Sequence, residues 1–333
     1  MKSYSNIPIF ISHQGCPHNC IYCNQKAITG RSGQVEREEV VRTIEDYLST
    51  QDDKRNKEIA FFGGSFTALD LETQAFYLDL AKDYVGTRGI IGIRFSTRPD
   101  AISEEIMAFL SDYPISTIEL GVQSLDDRVL LASGRGHGIV DVLRAVNLIR
   151  STDVQLGLQM MTGLPGDDYD LAIFTAEKLI SLKPDFVRIY PTLVIKGTGL
   201  EALAARGAYI PWNLEETLEL LTDIMKLFLR AQIPVIRLGL YSSEADFLDS
   251  IVAGPYHPAL RSLVMGRLYR RKLEELAGPL DLEINPKELS YLLGQSRVNK
   301  VYFEEQGRRI NFSLNDQLPR NGFVFQGQFI SIY

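Results

Sequence analysis

The residues best suited to chemistry are three cysteines, Cys16, Cys20 and Cys23, which fall in one run, Gly15-Cys-Pro-His-Asn-Cys-Ile-Tyr-Cys-Asn24, with no other cysteine in the 333 residues. Iron–sulfur clusters that only carry electrons are normally held by four thiolates, which leave no labile position. A Cys-x3-Cys-x2-Cys loop supplies three, so a cuboidal cluster built on it has one iron open to water, a side chain or a substrate. Two other readings compete. An odd cysteine count with no apolar leader before it argues against a disulfide framework. A zinc site of three cysteines and one histidine is the stronger rival, with His13 and His18 within reach, although such sites usually draw ligands from two separated loops. A non-enzymatic metal-binding protein therefore stays open as an alternative.

The loop resembles the signature of the radical S-adenosylmethionine (radical SAM) superfamily. In that family three cysteines hold a 4Fe-4S cluster, and S-adenosyl-L-methionine (SAM) chelates the fourth iron through its amino and carboxylate groups. Phe61-Phe62-Gly63-Gly64-Ser65-Phe66-Thr67 is similar to the family's glycine pair, where a backbone must approach the ligand without a side chain in the way. Within the superfamily the chain resembles the branch of the Elongator catalytic subunit, which modifies the tRNA wobble uridine. Ser96-Thr97-Arg98-Pro99-Asp100, Glu119-Leu120-Gly121-Val122-Gln123-Ser124, Gly134-Arg135-Gly136-His137, Gln159 to Gly166 and Ile189 to Thr198 follow that branch's blocks in order. The likeness spans residues 5–245. Ser96 departs from the acidic residue often found there, and the branch's acetyltransferase domain is not matched.

The resemblance implies that Cys16, Cys20 and Cys23 bind the cluster. It also implies that one electron from a reductant such as flavodoxin or ferredoxin cleaves SAM, giving a 5'-deoxyadenosyl radical that abstracts hydrogen from a substrate. Tyr22 matches the position beside the adenine, with plain loop packing as its alternative. Gly63, Gly64, Ser65, Thr97, Gln123 and Gln159 complete the expected cofactor contacts. Arg98, Arg188, Tyr190, Arg237 and Tyr241 are candidate contacts for a polar substrate, and His257, between two prolines, is another. Gly163-Leu164-Pro165-Gly166 reads as a turn.

Short apolar strands at 7–12, 58–62, 91–96, 117–121, 154–159 and 186–191, with a further one at 234–239, alternate with helical patterns at 37–48, 71–84, 103–111, 141–150, 169–182 and 214–232. Strand–helix units of this length predict a parallel sheet with helices outside. With the resemblance, they predict an α/β fold, a partial (β/α)6 TIM-like barrel. Ligands then sit at the C-terminal mouth of the strands. Gly63 and Gly64 follow the second strand, Thr97 and Arg98 close the third, Gln123 follows the fourth, Gln159 closes the fifth and Tyr190 the sixth. The organisation expected is a core over 1–250 and an extension over 251–333, a helix at 260–276 and then short strands from 297 onward.

A composition of 45% hydrophobic and 23% charged residues is that of an ordinary globular protein. No uninterrupted apolar run of about 18 residues occurs, so no membrane span is expected, and reduced cysteines imply a cytoplasmic location. The net charge of -7 speaks against a tRNA partner, whose phosphates call for a basic face. Basic runs at 267–272 and at Arg308-Arg309 are the exceptions, and charged helices usually just face water. A small substrate is therefore expected, most concretely a modified nucleobase such as queuine, cleaved by a lyase. An Elongator-type tRNA-modifying enzyme working with a partner is the alternative.

Overall fold

Strands in the middle of an α/β protein must be apolar toward the helices, while their alternate residues line whatever the sheet encloses. A computed structural model of the chain describes residues 5–11, 16–24, 35–50, 56–240 and 245–333. Its first strands are β1 (Ser5–Phe10), β2 (Lys57–Phe62), β3 (Ile90–Thr97), β4 (Ile115–Gln123), β5 (Gln155–Thr162), β6 (Phe186–Pro191), β7 (Val194–Ile195) and β8 (Val235–Leu238). All but β7 form one parallel sheet in the order β1-β2-β3-β4-β5-β6-β8, curled into a half-barrel. The further strand anticipated at 234–239 is thus real, as β8, and the wall has seven strands.

The alternation is plain along β2 to β6. Ile59, Phe61, Ile93, Phe95, Ile118, Leu120, Val122, Leu156, Leu158, Met160, Val187 and Ile189 are buried in one apolar cluster, with Val142 and Leu179 from the helices Ile139–Arg150 and Tyr169–Ser181. Their neighbours Glu58, Arg94, Glu119, Gln159 and Arg188 occupy the opposite face. Capping fixes where several helices begin: Asp70 accepts from the Thr73 N–H, Asp168 from Leu171, and Asn213 forms a capping box with Glu216. Each such cap contributes about 1 kcal/mol.

After β8 come β9 (Ile251–Ala253), paired with β7, and the helix Leu260–Glu274. A second sheet of order β11-β10-β12-β13 is built from β10 (Leu280–Ile284), β11 (Ile310–Leu314), β12 (Gly322–Phe325) and β13 (Gln328–Ser331). Here the structure corrects the expectation of strands from 297 onward: Val298–Glu305 is a helix. It is pinned by Asn299, whose amide donates to the carbonyls of Gly266 (2.8 Å) and Leu292 (3.0 Å), and by the buried Phe303. The basic run at 267–272 is absorbed internally. Arg267 pairs with Glu215 (2.7 Å) and Glu219 (3.0 Å), and Arg271 pairs with Glu219 and Asp223, all on the helix Leu214–Arg230. No helix among the described residues is long and apolar enough to cross a membrane.

Candidate active site

The cysteine loop lies between two segments that follow strands. On one side the Ile21 N–H donates to the Ser133 carbonyl at 3.1 Å; on the other the Leu200 N–H donates to the Ile21 carbonyl at 2.7 Å, and the Asn24 amide donates to the Lys196 carbonyl at 2.8 Å. Within the loop the Cys23 N–H donates to the Cys20 carbonyl at 3.0 Å. None of the three cysteines is in a disulfide; Cys20 is buried, Cys16 and Cys23 half-buried. Gly136, at φ +78°, lets the loop settle onto it: a Cβ there would lie 2.3 Å from the His18 ring. His13 and Tyr241 lie outside the described residues.

Two buried arginines lie beneath this loop. Arg135 donates from one terminal nitrogen to the Cys20 sulfur (3.4 Å) and from the other to the Gly121 carbonyl (2.7 Å). Arg98 forms a bidentate pair with Asp100 (2.9 Å for both bonds) and donates to the Arg135 carbonyl at 2.5 Å. Burial pushes the Cys16 thiol up, while Arg135 and Arg98 pull it back and the Ser65 backbone hydrogen-bonds to it. Burial also opposes the Asp100 charge, but Arg98 outweighs it and holds this carboxyl below the usual range. His137 is driven down to about 4 by burial and by Arg135, so its ring is neutral near pH 7.

The strand ends supply the other wall. Gly63 has φ +93°, and Ser65, directly after the glycine pair, is buried. The Thr97 hydroxyl bonds those of Ser65 (3.1 Å) and Thr67 (2.6 Å), so Thr97 holds the glycine turn in place. Gln123 sits at φ +70° where β4 loses register with β5, and its side-chain carbonyl oxygen is buried without a hydrogen-bond partner. A non-glycine residue in that conformation is strained, and such strain collects at ligand sites.

Inside the half-barrel runs a chain of charges. Glu58 forms an ion pair with Arg94 (3.2 Å), Arg94 reaches Glu119 (3.6 Å), and Glu119 pairs with Arg188 through contacts of 2.5 and 3.1 Å. Gln159 donates to Glu119 at 3.2 Å. Burial opposes the charge on Arg188, yet Glu119 outweighs it and the guanidinium is shifted upward; Tyr190 hydrogen-bonds to it. Arg237 is the register partner of Arg188 and donates to the Gly239 carbonyl at 3.1 Å. At the rim, His257 accepts the Ala259 N–H on Nδ1 (3.0 Å) and lines a small cavity with Pro191 and Gly239.

The sequence model of the Radical SAM superfamily matches residues 10–179, half of the chain, and covers the cysteine loop, the glycine turn and strands β2 to β5. The chain belongs to the radical SAM superfamily. The Radical_SAM C-terminal domain matches residues 184–270. Similar curated proteins include the tRNA uridine(34) acetyltransferase of Methanocaldococcus jannaschii, 26% identical over 65% of this chain and 47% of that protein. Elongator complex protein 3 of Homo sapiens is 31% identical over 63% of this chain and 41% of its own length, so the chain spans about half of these relatives. The fold is shared with an N-terminally truncated Methanocaldococcus infernus Elp3, with a TM-score of 0.66 at 20% identity over 81% of this chain and 63% of that one.

Radical SAM enzymes use a 4Fe-4S cluster and SAM. The residues present fit both. Three soft thiol ligands on one loop suit iron–sulfur chemistry, and the buried guanidinium of Arg135 offsets part of the negative charge that a thiolate-bound cluster brings. The partnerless Gln123 oxygen and Arg135 Nε leave polar atoms for a ligand at the same mouth. Among the described residues no three His, Cys, Asp or Glu side chains close on a single metal ion; a cuboidal cluster does not ask for that, since its thiolates bind different irons.

The sequence expectations fall into groups. Cys16, Ser65 and Gln123 converge on the mouth. Gln159, Arg188 and Tyr190 line the interior below it, with Arg237 beside them. Arg98, anticipated as a substrate contact, gives its guanidinium to Asp100 and Arg135 beneath the loop. Tyr22 packs with Ile21 against Val194, Leu200 and Tyr209, and its ionisation is pushed upward by burial. Arg135, Glu119, Arg94 and Glu58 were missed as site residues. For Glu58, Arg94 and Glu119 the signal was present, since a charged residue alternating with apolar ones inside a central strand has to face something polar.

Asp167, in the turn after β5, titrates unusually. Burial raises its carboxyl to about 7, against the pull of the Gly163 N–H, which donates to it at 2.8 Å. A carboxyl whose pKa is higher folded than unfolded stabilises the fold below its unfolded value near 3.8, and this contribution is lost as pH rises through about 7. The denaturant midpoint should therefore fall between pH 5 and pH 8, and Asp167→Asn should flatten that slope while keeping the Gly163 bond.

Proposed function

We propose that this radical SAM enzyme acts on a small, base-like molecule held inside the half-barrel, and that it cleaves the side chain of queuine, a 7-deazaguanine base, as a lyase. The observation that carries this reading is the interior wall, where Gln159, Arg188 and Tyr190 present amide, guanidinium and phenol groups from neighbouring strands, with the buried Glu119 holding Gln159 and Arg188 in place. A nucleobase edge offers alternating donors and acceptors, which such a wall can meet in a water-poor space. In this reading Arg188, Tyr190 and Arg237 contact the base from below, with His257 at the rim. Gly63, Gly64, Ser65, Gln123 and Gln159 face SAM, Thr97 supports them, and Tyr22 closes the loop side. When bound, the cluster and SAM supply reductive cleavage to a 5'-deoxyadenosyl radical, driven by a one-electron donor such as flavodoxin or ferredoxin. The chain's own part is to place the base and exclude water.

A second reading, modification of tRNA together with a partner chain, is supported by the relatives named tRNA uridine(34) acetyltransferase. The ion pairs of Arg267 and Arg271 with Glu215, Glu219 and Asp223 weigh against it, because they neutralise the chain's densest basic run. Anaerobically reconstituted protein with dithionite and SAM should release 5'-deoxyadenosine severalfold faster when queuine is added. No response to queuine, with salt-sensitive binding of bulk tRNA, would replace the first reading by the second.

A further inference from the structure

Arg135 is a buried cation that no carboxylate pairs with among the described residues. Its terminal nitrogens go to a carbonyl, that of Gly121, and to a sulfur, that of Cys20. The neighbouring cation differs: Arg98 is matched by Asp100 through two bonds of 2.9 Å, so that pair adds little net charge. A buried guanidinium is costly unless an anion answers it. At this position the answering group is the cysteine loop, where the Cys20 sulfur would carry thiolate charge.

We propose that Arg135 sets the electron affinity of the cluster, with Arg98 and Asp100 as the positioning residues that hold it against Cys20. Reduction adds one electron, and hence one negative charge, to a group that is already anionic. A fixed positive charge and an N–H···S hydrogen bond stabilise the more negative state, so both raise the reduction potential. The electron comes from a low-potential one-electron donor, and no bond forms or breaks in this step. Arg98 contributes through geometry, since its bond to the Arg135 carbonyl, at 2.5 Å, fixes the backbone that carries the guanidinium. The inference rests on the cluster and not on the substrate proposed above.

The test is an EPR-monitored redox titration of the full chain, reconstituted anaerobically with iron and sulfide, without SAM or substrate, alongside iron and sulfide analysis. Arg135→Met should lower the one-electron reduction constant about tenfold, which is about 59 mV for a one-electron couple. Arg135→Gln, which keeps a donor but no charge, should fall between, and Arg135→Lys should stay near the parent. A fully loaded methionine variant with an unchanged midpoint would overturn the proposal. Should that variant fail to hold iron, the glutamine variant is read in the same way. Loss of iron in all three, lysine included, would also overturn it, because Arg135 would then be building the loop and not tuning the cluster. Since no substrate is present, these outcomes leave the nucleobase reading untouched; a parent chain that takes up no iron would remove both.

Discussion

Replacing Cys20 by serine should give a folded chain that keeps less than about a tenth of the parent's iron and sulfide and no longer cleaves SAM, because a site of three thiolates has no spare ligand. Cys20 is the sharpest place to test this. It is the buried member of the three, its carbonyl receives the Cys23 N–H at 3.0 Å, and its sulfur receives Arg135 at 3.4 Å. A serine hydroxyl fits that space but does not ionise near neutral pH. The loop lies outside the main apolar cluster, so stability of the metal-free chain should change by about 1 kcal/mol or less. Denaturation of metal-free protein, beside iron and sulfide analysis, separates the two effects. A serine variant that still binds iron and cleaves SAM would show that the cluster lies elsewhere.

The second large effect is expected at Glu119. Its carboxylate is fully buried between Arg188 and Arg94, so Glu119→Ala leaves two guanidiniums short of their shared anion. Removing one partner of a buried ion pair typically costs about 3–5 kcal/mol. Arg94 keeps Glu58, which places the alanine variant toward the lower part of that range. Urea titration of the metal-free chain measures this directly. A loss below about 1 kcal/mol would mean that the interior charges are already well solvated, and the reading of that space as a sheltered substrate chamber would weaken with it.

Much of this architecture could be read in one dimension. The strand anticipated at 186–191 is β6 residue for residue, and helix starts at Asp70, Asp168 and Asn213 carry the capping residues that announce them. What failed to show depends on contacts between distant segments. Arg135 reads as one letter of a motif until it meets Cys20, 115 positions away. The basic run at 267–272 looks like a free patch until Glu215, Glu219 and Asp223 pack against it. The helix Val298–Glu305 begins after Ser296 and Arg297, both at positive φ, a chain reversal that no hydrophobic period announces. Thr97 lies where a cofactor contact was expected, and its hydroxyl bonds those of Ser65 and Thr67, a pairing across 32 and 30 positions that the motif alone does not announce.

Cys16, Cys20 and Cys23 are proposed to hold a cluster whose remaining iron takes SAM. EPR of the dithionite-reduced, anaerobically reconstituted chain, recorded with and without SAM, tests it most directly. About four irons per chain and a reduced-cluster signal that shifts when SAM is added are the expected result. Zinc in place of iron, or a signal indifferent to SAM, would contradict it.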